Sequence, residues 1–262
     1  MNKIQSILIA ASLSLAMAFT LSCSSDSGGG DNSNGTGGGK KFTDSRDGRS
    51  YKYVEIGEQT WMAENLNYNA SGSKCYDNDS ENCKKYGRLY DWATAMGFEK
   101  ECNSSSSCRG QVQEKHKGIC PQGWHMPSDE EWTVLTDFVG DGSATKLRAT
   151  SGWDADYITT LVCDAYASAG ISGYCKGGTD EYGFSALPGG YCYFSDSGEF
   201  VFRSSTAVTS GSGGGGGWWS TGEGGDGYWH LSNVYVIIYI YENTFLDDNL
   251  KTSLYSVRCV KD

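Results

Sequence analysis

A chain of 262 residues has room for one large domain or two small ones. Its 21 Lys and Arg stand against 32 Asp and Glu, a net charge of −11. That balance gives no electrostatic footprint for nucleic acid and none for docking on anionic lipid through charge.

The chain opens Met1-Asn2-Lys3 and then runs apolar and small from Ile4 to Phe19. One basic residue followed by a short apolar core reads as a secretory signal. The core is too short and too rich in Ser for a membrane span. Thr20-Leu21-Ser22-Cys23 follows, a Cys after a small residue, as at a bacterial lipoprotein processing site. Leu21 stands two positions before the Cys, where the usual pattern has Leu three before. On this reading residues 1–22 are a lipoprotein signal peptide and Cys23 carries the lipid. Each buried acyl methylene contributes ~0.8 kcal/mol, so several chains anchor firmly. Plain secretion, with Cys23 free or paired, is the alternative. Residues 24–39 contain no apolar side chain. Residues 23–41 are therefore expected to form a lipid-anchored flexible Gly/Ser/Asn linker, with a reach of roughly 20–24 Å across the sixteen polar positions. Residues 42–262 are expected to form one domain.

"YKYVEIGEQTWMAENL" (51–66) fits two short strands joined at Gly57-Glu58. "YDWATAMGF" (90–98) places Trp92, Ala95 and Met96 at helical spacing and stops at Gly97. "SDEEWTVLTDFVG" (128–140) is the best helix. Ser128 and Glu131 make a capping box, Asp129 and Glu130 suit the positive helix start, and Trp132, Leu135 and Val139 line one face. The Gly-rich run 210–217 neither follows a clear strand nor opens a helix, so it is a loop and not a dinucleotide site. "VYVIIYIY" (234–241) and "SLYSVRCV" (253–260) read as strands. Helices early and strands late give an α+β class with two main helices and a mostly antiparallel sheet.

Ten cysteines in an exported chain suggest disulfides. Cys75–Cys83, Cys102–Cys108 and Cys163–Cys175 each close a short polar loop that has no core of its own. Cys120 and Cys259 remain as a long-range pair, and Cys192 as the orphan. Cys175–Cys192 with Cys163 free is the alternative. The cysteines form no pair of CxxC knuckles and the histidines lack ligand spacing, so zinc is not expected.

"GICPQGWHMPSDEEW" (118–132) concentrates chemistry-bearing side chains. Glu130 and Glu131 are explained by helix capping. Adjacent helical residues point about 100° apart and make poor partners across one bond. His125 has no activated nucleophile beside it, and a structural role is expected. The aromatic surplus is different: 8 Trp and 17 Tyr exceed the needs of a small core. In 216–231 Trp218, Tyr228 and Trp229 are interleaved with Gly, Glu223 and Asp226. Rings flanked by polar groups hold sugars, so these five are the candidate ligand-binding residues. The competing reading makes Trp219 core and the other rings covers for strand edges. Glu242, Asp247, Asp248 and Asn249 offer oxygen ligands that suit calcium. A solvated acidic loop is the plainer reading, and no cofactor is expected. No spacing among the acids singles out a carboxylate pair for glycoside hydrolysis, and no catalytic residue is assigned.

The stretches 47–68, 75–96, 118–135, 183–191 ("GFSALPGGY"), 218–221 ("WWST") and 255–262 ("YSVRCVKD") occur in the order found in the Fibrobacter succinogenes major paralogous domain family, which the chain resembles over about 44–262. The resemblance implies export and architecture but no reaction. "HMPSDEEW", "WWST" and "YSVRCV" are also similar to landmarks of C-type-lectin-like and formylglycine-generating-enzyme-like domains. That likeness implies a single disulfide-stapled domain, a Cys120–Cys259 bond, and first and last strands paired at a closed base. The paired reactive cysteines of the second group are not evident, and the calcium tripeptide of the first is absent. The expectation is a lipoprotein of the outer membrane or cell surface, acting as a non-catalytic binding module for plant-wall carbohydrate. The alternative is a structural or protein-interaction component of the surface, with 153–182 as a variable loop. An enzyme is the least favoured reading.

Overall fold

The computed structural model describes residues 39–104, 106–153, 178–195, 199–203, 215–223, 232–239 and 244–262. The signal, Cys23, most of the linker and the Cys163–Cys175 loop lie outside the described residues. Gly38–Asp262 forms one compact unit. No helix among the described residues is long and apolar enough to cross a membrane.

The class is α+β. Strands β1 (Lys41–Thr43), β2 (Ser50–Ile56) and β3 (Gln59–Met62) form an antiparallel meander. Gly57, at φ +60°, makes the tight turn between β2 and β3. Helices α1 (Ser80–Tyr86) and α2 (Trp92–Met96) follow. Strand β4 (Trp124–His125) leads into α3 (Asp129–Val139) and α4 (Ser143–Leu147). The remaining strands are β5 (Tyr191–Phe194), β6 (Phe200–Arg203), β7 (Gly215–Glu223), β8 (Ser232–Tyr239), β9 (Thr244–Leu250) and β10 (Val260–Lys261). The sheets are β1-β2-β3-β10-β4, β5-β6 and β7-β8-β9. All pairings between these strands are antiparallel.

Two sequence expectations need correction. The last strand does not pair with the first: β10 inserts between β3 and β4, with Val260 opposite both Trp61 and His125. Nor is 253–260 one continuous strand. Leu254, Tyr255 and Ser256 make single bridges to Cys192, Tyr90 and Trp218 in turn, and only Val260 and Lys261 join the main sheet. This segment threads between layers, so each of its backbone groups finds a different partner. Sequence reading also passed over α1, α4 and the β5–β6 hairpin.

Helix α3 is as predicted. Ser128 accepts from the Glu131 N–H at 3.2 Å, and the Glu131 carboxylate accepts from the Ser128 N–H at 2.9 Å. Trp132, Leu135 and Val139 are its buried face.

The main sheet is a septum between two cores. Side chains alternate across a strand, and the alternation holds on each long strand of this sheet. Tyr51 and Met62 enter one core, with α2, Trp124 and the Cys120–Cys259 bond. Ile56, Trp61 and Val260 enter the other, with α3, α4 and Phe184. In the second core Trp61 and Trp132 pack with ring centres 4.5 Å apart. Among the described residues the disulfides are Cys75–Cys83, Cys102–Cys108 and Cys120–Cys259, as expected, and Cys192 is a buried free thiol.

Arg258 is fully buried where the two cores meet. Its Nε and Nη2 donate to Asn65 Oδ1 at 3.1 and 2.8 Å, and Nη1 donates to the Phe184 carbonyl. Its guanidinium lies 4.3 Å from the Phe184 ring centre and 5.5 Å from that of Trp218. Asn65 Oδ1 also accepts from Trp218 Nε1 at 2.8 Å, and Asn65 Nδ2 donates to the Tyr86 carbonyl at 2.9 Å. Burial pulls the Arg258 pKa below the usual arginine value.

Removing one partner of a buried charge is more damaging than removing the pair. Asn65→Leu is expected to lower unfolding free energy by about 3–5 kcal/mol in urea titrations. The Cys120–Cys259 bond spans 139 positions. Its removal by Cys120→Ser with Cys259→Ser is expected to cost about 5 kcal/mol by chain entropy, against about 2–3 for either short loop. Equal midpoints for the long-range and local variants would refute that ranking.

Candidate functional site

Of the aromatic face predicted at 216–231, the described residues show one ring, Trp218. Trp218 has no exposed surface. Neighbours on a strand face opposite ways, so Trp218 enters the second core and Trp219 the first. Trp219 packs edge-on to Tyr255 at 4.9 Å and donates from Nε1 to the Tyr90 carbonyl at 2.7 Å. Both indole N–H groups are satisfied inside, which lets both rings take the full gain of burial. Trp218 is thus neither a ligand platform nor an edge cover. Glu223 ends β7, while Tyr228, Trp229 and Asp226 lie outside the described residues. The acidic segment expected as a loop is largely strand β9, with Asp247 and Asp248 opposite Tyr235 and Val234. Glu242 lies outside the described residues. Among the described residues no cluster of three His, Cys, Asp or Glu can hold a metal.

His125 is the pivot of the 118–132 stretch. It is 1 % exposed, with Nε2 2.8 Å from Glu131 Oε1 and Nδ1 2.8 Å from Asp262 Oδ1. Glu131 therefore serves both the capping box and the imidazole. Burial opposes charge on His125, but the two carboxylates outweigh it and raise its pKa above the ordinary 6.5. Burial likewise opposes ionisation of Glu131, and the His125 and Ser128 donors outweigh it, so that pKa falls below 4.5. The group is a clamp from helix start to last strand.

Two clefts are prominent among the described residues. One, of about 360 Å³, is lined by Gly72, Lys74, Asp91, Lys100, Asn103, Phe200, Thr252 and Leu254. Its volume lies within the usual range for small-ligand sites. Phe200, on β6, keeps 40 % of its surface exposed, and Lys74 Nζ sits 4.5 Å from its ring centre. Asp91 caps α2 by accepting from the Thr94 N–H at 2.8 Å, and Asn103 accepts from the Ala93 N–H at 2.8 Å. Those bonds fix both side chains at the rim. The other cleft, of about 210 Å³, lies over Asn65 and carries Arg49, Lys52, Lys84 and Lys85 with Glu64. Sequence reasoning found neither. Phe200-Val201-Phe202 shows a strand, but nothing in the string tells which ring stays outside.

The clamp sets a pH dependence. The raised His125 pKa adds stability that is complete below 6.5 and lost as pH rises through the folded value. The lowered Glu131 pKa adds stability that is complete above 4.5 and lost as pH falls through its folded value. Between these limits both terms are present. Urea midpoints are expected to fall between pH 6 and pH 9 in the native protein, and His125→Gln is expected to flatten that slope. An unchanged slope in the variant would remove the clamp from the explanation.

None of the curated proteins and none of the solved structures compared with this chain matches it. The family model described as the Fibrobacter succinogenes major domain matches residues 54–261. Those residues include β3 to β10, the second core, the Arg258 node and the Phe200 cleft, and on that match the chain belongs to the Fibrobacter succinogenes major domain family.

Proposed function

We propose that this protein is a lipid-anchored surface component that binds carbohydrate without transforming it. The observation that carries the reading is the Phe200 cleft. An exposed ring sits beside Lys74, Lys100, Asp91, Asn103 and Thr252, a hydrophobic face among donors and acceptors. Sugar rings present the complementary pattern, with apolar C–H faces and hydroxyl edges. A non-catalytic role is supported by the acids. Among the described residues lining the cleft Asp91 is the single carboxylate, and it is engaged as a helix cap. Glycoside hydrolysis ordinarily uses two carboxylates flanking the bond. Cys23 would tether the module through its lipid, and the polar stretch 24–39 would hold it off the membrane.

The test is depletion of the purified protein from solution by insoluble cellulose, xylan and related wall polymers. One polymer is expected to deplete it, equally with calcium or with a chelator. Phe200→Ala is expected to weaken depletion about tenfold, equivalent to ~1.4 kcal/mol, with an unchanged urea midpoint. Depletion that ignores Phe200 would discard this site.

A further inference from the structure

We infer that the second cleft, over Asn65, recognises a single carboxylate-bearing sugar, a uronate carried sparsely on an otherwise neutral polysaccharide. The polysaccharide half of this inference rests on the carbohydrate reading above. The carboxylate half rests on the cleft itself. Arg49, Lys52, Lys84 and Lys85 line a space that holds one carboxylate, Glu64, in a chain whose net charge is −11. So local a reversal of sign marks a site for an anion. Glu64 does not neutralise it fully, because its Oε2 accepts from the Lys52 backbone N–H at 2.6 Å. Lys84 is paired with Glu81 at 2.6 Å on the open surface. Arg49, Lys52 and Lys85 form no ion pair with any described carboxylate. Arginine adds a planar fork that matches a carboxylate through two parallel hydrogen bonds.

The floor is built and not merely a patch of surface charge. Asn65 and Asn67 are 7 % and 8 % exposed, held through Nδ2 by the carbonyls of Tyr86 and Cys83 at 2.9 and 2.7 Å. Tyr86 and Leu187 supply apolar wall, and Ser50 a hydroxyl. All lining residues fall within 47–68, 75–96 and 183–191, three of the stretches that carry the family resemblance. The size and the global charge define the ligand further. About 210 Å³ is below the range for larger ligands and suits one ring. A net charge of −11 repels a densely charged polyanion, so isolated acids on a neutral chain fit better.

The experiment compares retention on a xylan bearing sparse glucuronate side groups with retention on the same xylan after its carboxyls are reduced to alcohols. A parallel arm follows saturation transfer from the protein to free glucuronate, glucose and acetate. Retention is expected to be at least tenfold stronger on the acidic xylan and to weaken with added salt. Arg49→Gln with Lys85→Gln should abolish that preference and the transfer to glucuronate, with the urea midpoint unchanged. Phe200→Ala should weaken retention on both polymers alike. Equal retention of acidic and reduced xylan, or a preference that survives in the double variant, overturns the inference. So does acetate that displaces glucuronate at equal concentration, because it would show a bare anion site. If no polymer retains the protein but glucuronate still receives transfer that the double variant loses, the cleft stands and the Phe200 reading falls. Absence of transfer to glucuronate in the native protein overturns the inference whatever the polymers show.

Discussion

Three stretches far apart in the chain are held together by one amide. Asn65 Oδ1 accepts from both the Arg258 guanidinium and the Trp218 indole, while Asn65 Nδ2 anchors the end of α1 through Tyr86. Arg258 is a buried cation satisfied by carbonyl oxygens and two aromatic faces. A charge taken out of water is tolerable only where its donors are matched and its surroundings are polarisable. That condition fixes the position of the 183–185 backbone, of the ring of Trp218 and of the segment that carries Arg258. The second core, the path of the last strand and the floor of the cationic cleft all depend on those three positions.

The septum arrangement explains an apparent excess of aromatic residues. A sheet with a core on each face needs large side chains at consecutive positions, where a sheet with one wet face needs them at alternate ones. Trp61-Met62 on the septum and Trp218-Trp219 on β7, in the β7-β8-β9 sheet, are consecutive pairs of this kind, each sending one side chain to each core. Read as a string, such a pair resembles a sticky surface. Read against the fold, it is the signature of a layer buried on both sides.

What was legible in the sequence was local. The capping box of Ser128 and Glu131, the apolar face of α3, the β2–β3 turn at Gly57 and the short disulfide loops all involve residues within about a dozen positions. Their chemistry is complete within the window that displays it. The family resemblance came from motif order, and it likewise needed no contact between motifs. The Asn65–Arg258 contact spans 193 positions and left no periodic trace. The 253–260 segment has strand-like composition but serves several partners in succession, and composition alone does not reveal that. Both clefts are assembled from separate stretches, so their charge pattern appears only once the backbone has converged. His125 shows one partner, Glu131, in its own stretch, whereas its second, Asp262, lies 137 residues away.

Residues 258–262 have an uncommon share of the architecture. Arg258 fills the junction, Cys259 closes the long disulfide, Val260 completes the septum between β3 and β4, and Asp262 meets His125. A chain made from its N-terminus acquires these residues after the elements they join. Until they emerge, two faces of the central sheet and a set of unpaired carbonyls stay open to solvent. One short segment thus closes the sheet, the disulfide and the clamp together, and the native topology waits on it.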